Sequence, residues 1–200
     1  MKVDEAASGK RPYRMGARAE AAAETERRIF GAFRELVAER PFAQVTLDEV
    51  ASRAGVTVQT VIRRYGSKDG LIRAVADAVG AEVREQRFEA PIGDVAGAVA
   101  NLVEHYESTG DETYRLICQE EQVPVLSEVL DTGRSLHRDW VVRVFAPWLE
   151  PLRAAERNRR TAQLVAICDL FTWKLLRRDL ALGRRQTEHA LRDMLERVLR

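Results

Sequence analysis

Two hundred residues carry 32 basic and 31 acidic side chains, so no global charge draws the chain to polyanions or anionic membranes, and any charge-based function must be local. Apolar residues at 46% and charged residues at 32% suffice for a buried core under a solvated surface and argue against wholesale disorder and a collagen-like fibre. The length allows one domain, or a small domain joined to a larger one. The longest apolar stretches, such as residues 164–168, fall far short of the ~18 residues of a membrane span. No apolar leader segment precedes the first charged residues, so the expected location is cytoplasmic, with no membrane partner. Cys118 and Cys168 lie in apolar stretches and read as two buried thiols. Only four basic residues are Lys, and this Arg bias by itself is weak evidence of nucleic-acid binding.

The chain reads as all-α. Residues 1–20, with Lys10, Arg11, Arg14 and Arg18, suggest a basic flexible arm. From about Ala21, the steps Ile29, Phe30, Phe33, Leu36 and Val37 mark a helix with one buried face, stopped by Pro41. Thr46 and Glu49 form a capping box that opens a helix over 47–54, with Val50, Ala51 and Ala54 inward. Gly55 permits a left-handed turn, Val56 plugs the corner, and Thr57 caps a short helix over 58–65 whose Val61 and Tyr65 face back toward its predecessor. Ser67 then caps a helix reaching about Phe88. Beyond Pro91 the pattern predicts helices near 94–109, 112–122, 126–146, 157–181 and 184–199, punctuated at Gly110, Pro124, Pro147, Pro151 and Gly183. The predicted units are thus 21–73 and 74–200. Residues 1–73 hold 14 basic and 10 acidic side chains, against 18 and 21 in the remainder.

Two short helices joined by a tight Gly turn, with small Ala51 at their crossing, make a helix-turn-helix. The outer face of the second helix holds Val58, Gln59, Thr60, Arg63 and Arg64. Gln bonds adenine bidentately, Val and Thr touch thymine methyls, and Arg reads guanine or neutralises phosphate. Helix starts at Thr46 and Ser67 offer backbone amides to phosphates, with Lys68 beside the latter.

The stretch from Val45 to Leu71, with its Ala-Gly-Val turn, Tyr65 and the Ser67-Lys68 pair, resembles the N-terminal DNA-binding domain of the TetR family of bacterial transcriptional regulators. The resemblance implies that Thr57 opens the recognition helix, and that Thr46, Thr60 and Lys68 occupy phosphate- or base-contacting positions. Ile62 stands where the family usually has a Tyr that contacts the DNA backbone, and Gly70 replaces its usual acidic residue, which weakens the cap of the following helix. The resemblance also implies a homodimer on a palindromic DNA operator, an unknown small-molecule effector, and no cofactor.

Aromatic or amphipathic candidates for the effector pocket are Tyr106, Tyr114, His137, Trp140, Phe145 and Trp173. Two apolar stripes, Leu164, Ile167, Cys168, Phe171 and Leu175, then Leu191, Met194, Leu195 and Val198, read by periodicity as the interior of one subunit. The family layout instead assigns part of each to a four-helix dimer interface. His105, His137 and His189 form no helical metal pair, and no nucleophile elbow or phosphate-binding Gly loop is present, so neither a metal site nor an enzyme is expected. The alternatives are an all-α enzyme, or a helical adaptor whose helix-turn-helix contacts protein.

Overall fold

The computed structural model describes the backbone of residues 10–200 and the side chains of residues 18–200. Among the described residues there is no strand, and no helix long and apolar enough to cross a membrane. The chain divides after Val75 into two units.

The first unit opens with α1, Lys10–Glu39. The segment expected to be a flexible arm is therefore helical from Lys10 on, while residues 1–9 lie outside the described residues. The run of alanines between residues 17 and 23 explains the extension, since Ala has the highest helix propensity. Ile29, Phe33, Leu36 and Val37 are buried, and Phe33 meets Phe42 edge-on at 6.1 Å. Phe42 begins a short 3-10 turn, Phe42–Gln44, after Pro41.

Helix α2, Leu47–Ala54, packs against α1 and against α3, Val58–Tyr65. Its capping box is complete. The Thr46 amide donates to the Glu49 carboxylate at 3.0 Å, and the Glu49 amide donates to the Thr46 hydroxyl at 3.3 Å. Gly55 takes φ 65°, and the next amide, of Val56, donates to the Ala51 carbonyl at 2.9 Å. Val56 is only half-buried, so the corner is held by this backbone turn more than by a plugging side chain. The Arg28 guanidinium of α1 adds a bond of 3.1 Å to the Ala54 carbonyl, a C-terminal acceptor that α2 cannot satisfy itself.

Helix α4, Lys68–Phe88, runs on through the boundary between the units. Its cap is the Ser67 hydroxyl, which accepts from the Gly70 amide at 3.0 Å. Gly70 is a requirement of this corner: a β-carbon there would overlap the Tyr65 carbonyl oxygen.

In the second unit, the two helices expected over 94–109 and 112–122 are one, α5, Val95–Ile117. Gly110 is buried inside it, and a β-carbon there would stand 2.6 Å from Cζ3 of Trp173. The glycine serves close packing instead of ending a helix. Helix α6, Pro124–Val144, follows with Pro in its first turn, and the short α7, Ala146–Leu149, after it.

The helix expected over 157–181 is interrupted. Helix α8 ends at Ile167 (Ala154–Ile167), and Asp169 caps α9, Leu170–Lys174, accepting from the Phe171 amide at 2.9 Å. A π-helical turn, Leu175–Asp179, leads on to Ala181 at φ 54°. Asp competes for backbone amides and so favours a cap over a helix interior. Helix α10, Arg184–Val198, packs on α5 and α8. Cys168 is buried as expected, but Cys118 is exposed, because α5 ends just before it.

Replacing Gly110 by Ala should lower the unfolding free energy by roughly 1–3 kcal/mol, because the fully buried Trp173 ring has no room to retreat. Denaturant titration measures this, and an unchanged midpoint would show that the ring yields freely.

Candidate nucleic-acid interface

Helix α3 has eight residues and a single fully buried one, Val61. A helix this short is unstable alone, so its position is set by what surrounds it. Thr57 caps it by accepting from the Thr60 amide at 3.3 Å, and the two hydroxyls lie 2.9 Å apart. At the other end Tyr65 is half-buried and packs on α1, not on α2 as expected, with its ring 5.8 Å from Phe30 and its hydroxyl 3.5 Å from Glu26.

Gln59 and Arg63, opposite Val61, are exposed to solvent, as are Ile62 and Arg64 on its flanks, with Val58 and Thr60 half-buried. The structure thus brings together Thr57, Val58, Gln59, Thr60, Arg63 and Arg64 on one element. No acid stands in the first turn of α3, whereas α2 has Asp48 and Glu49 there and α4 has Asp69. Of the three helix starts, that of α3 offers the least repulsion to a phosphate.

Three expected contact residues are differently employed. Lys68 donates to the carbonyls of Phe42, Ala43 and Val45 at 3.0, 3.2 and 3.0 Å, and its ammonium lies 4.6 Å from the Phe42 ring centre. An ammonium has three donors, and in this structure all three are engaged in closing the chain around the 3-10 turn. Thr46 spends its hydroxyl and amide on the capping box. Arg64 reaches the Ala22 carbonyl at 3.3 Å, a long and exposed bond that competes weakly with a phosphate. Ile62, 38% exposed, adds an apolar group to the outward face. Sequence reasoning treated it only as a lost hydroxyl.

Residues 29–75 match the sequence model of the bacterial regulatory proteins of the tetR family. These residues form a TetR-family DNA-binding domain. Solved structures of similar fold include a transcriptional regulator from Rhodococcus sp. Rha1, 21% identical, covering 87% of this chain and 95% of that one with a TM-score of 0.67. A protein from Mesorhizobium loti MAFF303099 described as a TetR-family regulator is 14% identical, with 88% and 96% covered and a TM-score of 0.64. A TetR-family regulator from Streptomyces coelicolor A3 is 18% identical, with 88% and 95% covered and a TM-score of 0.51. At these identities the likeness extends to the fold alone. No curated protein sequence matches the chain.

The effector candidates of the second unit fall in two groups. Tyr106, Trp140, Phe145 and Trp173 are buried, and Tyr106 lies 5.7 Å from Trp173, while Trp140 meets Phe145 edge-on at 6.2 Å. Their polar atoms are satisfied: the Tyr106 hydroxyl donates to the Cys168 carbonyl at 3.1 Å and the Trp140 indole to the Arg87 carbonyl at 2.8 Å. His137 is half-buried against Trp140, and Tyr114 is half-buried against Phe171.

Among the dimer candidates, Leu164, Cys168, Leu191 and Leu195 have no exposed surface. They fill the core of their own unit, because α10 turns its stripe onto α5 and α8, and they are not available to a second copy. Met194 and Val198 are half-buried on the same core, whereas Phe171 and Leu175 are about half exposed, at 53% and 50%.

Arg63→Ala should shrink the slope of log affinity against log salt by about one unit if Arg63 meets a phosphate, and Arg64→Ala likewise. Lys68→Met should instead leave that slope unchanged and lower stability by roughly 1.5–3 kcal/mol, the scale of hydrogen bonds to a charged group. A reversed pattern would return Lys68 to the interface.

Burial, with the nearby Arg87 charge, holds the His105 imidazole down to about 3, and His137 is lowered for the same reasons. Both accept protons more readily once unfolded, near the ordinary value of about 6.5. Stability is therefore complete above that value and falls as pH drops from about 6.5 toward 3, by about 1.4 kcal/mol per pH unit for His105 alone. Replacing His105 by Asn should flatten that slope in denaturant melts between these limits, and an equal slope would remove His105 as a cause.

Proposed function

We propose that the chain is a ligand-responsive transcriptional repressor that binds a near-palindromic operator as a homodimer. The observation that carries this reading is the two-sidedness of α3: Val61 is fully buried while Gln59, Ile62, Arg63 and Arg64 point outward from the same eight residues. Gln59 pairs with an adenine edge, Val58 and Ile62 contact thymine methyls, and Arg63 reads guanine or a phosphate. Thr57 and Thr60 sit at the helix start with the amides that receive phosphate, and Arg64 joins them by exchanging the Ala22 carbonyl for a phosphate oxygen.

A two-fold dimer places its recognition helices in major grooves about 34 Å apart, or a multiple of that, and so requires inverted half-sites. The exposed apolar side chains Phe171 and Leu175 support a subunit interface on the second unit. Helix α4 supplies the link to the effector, since one continuous helix carries Lys68 in its first turn and Arg87 in its last. The effector acts by binding the non-operator arrangement better, and about 1–3 kcal/mol of coupling is a typical allosteric difference.

Selection of bound duplexes from a random pool should return an inverted repeat, and Gln59→Ala should relax one position in each half-site by about 1–3 kcal/mol of discrimination. Failure to retain any duplex at low salt would overturn DNA reading, and a selected site without two-fold symmetry would overturn the dimer.

A further inference from the structure

The second unit buries a cation without an anion. Arg87 is 3% exposed, in the last turn of α4. Its guanidinium carbon lies 4.0 Å from the Trp140 ring centre and 5.9 Å from that of Tyr106. One Nη donates to Nδ1 of His137 at 3.4 Å, a long bond. His137 is free to accept there because its Nε2 faces the Val165 carbonyl at 3.2 Å and carries the proton. The guanidinium also faces the Tyr106 hydroxyl, but the Nε–H of Arg87 is buried with no partner at hydrogen-bond distance.

No described carboxylate forms an ion pair with Arg87. Asp169 caps α9, and Glu107 is held by Arg177 at 2.7 Å. His105 and His137 are kept neutral by burial and by the Arg87 charge, so they neither add to that charge nor offset it. Stacking on Trp140 and the C-terminal end of α4 compensate part of the cost of desolvating the guanidinium. The remainder is the energy that a buried anion would recover, because a guanidinium left unpaired in low dielectric is strongly unfavourable.

We propose that Arg87 anchors the effector, and that the effector is an organic monoanion, a carboxylate on an apolar or aromatic body; this rests on the ligand-responsive reading above. The unpartnered Nε–H and the loosely held Nη–H form one edge of the guanidinium, and two parallel donors of that kind match the two oxygens of a carboxylate. The aromatic shell of Trp140 and Tyr106 suits an apolar body. A monoanion neutralises the site, whereas a dianion would leave a buried negative charge in its place. His137, half-buried and held to Arg87 by that one long bond, is the side chain the entering carboxylate displaces. The ligand then acts directly on the last turn of α4.

Thermal denaturation of the full chain without DNA tests this, with benzoate and straight-chain carboxylates from butyrate to palmitate as probes, each beside its primary alcohol. At least one carboxylate should raise the midpoint with an apparent affinity tenfold or more above that of its alcohol. Arg87→Met, which removes the unpaired charge while filling the space, should leave the ligand-free midpoint at or above that of the parent and abolish the carboxylate shift. Should the variant not fold, the Nε–H resonance of Arg87 in the arginine-labelled parent, assigned through Arg87→Lys, must move on carboxylate titration and stay in place with the alcohol. The proposal is overturned if no carboxylate outperforms its alcohol, if Arg87→Met keeps the shift, or if the resonance does not respond. Because no operator is present, carboxylate binding by a protein that ignores DNA would sink the regulator reading and leave this one standing.

Discussion

The arrangement of the first unit depends on holding an eight-residue helix by one fully buried side chain. Val61 supplies the apolar anchor, and the rest comes from charge and backbone geometry at the corners. Gly55 turns the chain in a left-handed conformation, Arg28 satisfies the Ala54 carbonyl, and Lys68 gathers three carbonyls of the 3-10 turn. Each is a local answer to the same difficulty: helix and turn ends leave acceptors that cost free energy unless a donor reaches them. The basic side chains conspicuous in the sequence are therefore of two kinds. Arg28 and Lys68 build the domain, while Arg63 and Arg64 remain at the surface with Gln59 and Ile62.

The second unit is organised around large aromatic rings, and its particular features follow from fitting them. Trp173 requires a residue without a side chain at position 110, so a glycine that would ordinarily weaken a helix sits in the middle of α5. Trp140 and Tyr106 surround Arg87, and the same burial that favours the rings disfavors charge on His105 and His137. The result is a core in which one guanidinium lacks an ion-paired carboxylate.

The all-α class, the helix-turn-helix and the outward face of α3 were legible in the sequence because each rests on short-range chemistry. A Thr and Glu three apart make a capping box, a Gly after an apolar stripe makes a turn, and the 3.6-residue period separates Val61 from Gln59 and Arg63. The same rules misled where a residue served a distant partner. Gly110 looks like a helix end from its neighbours and is a packing contact of Trp173. Lys68 looks like a phosphate ligand beside a helix start and is bound to carbonyls more than twenty residues away in sequence.

By itself, then, the order of residues determined which segments are helical near their caps and which side of α3 is apolar, since those depend on neighbours within a turn or two. Only the tertiary structure decided which charges are spent. It turned the stripes of Leu164, Cys168, Leu191 and Leu195 into an interior, placed Ile62 in solvent, and enclosed Arg87 with no anion beside it. The physical reason is that pairing and desolvation are properties of places, set by whatever the fold brings within a few ångströms, and sequence separation carries no record of that distance.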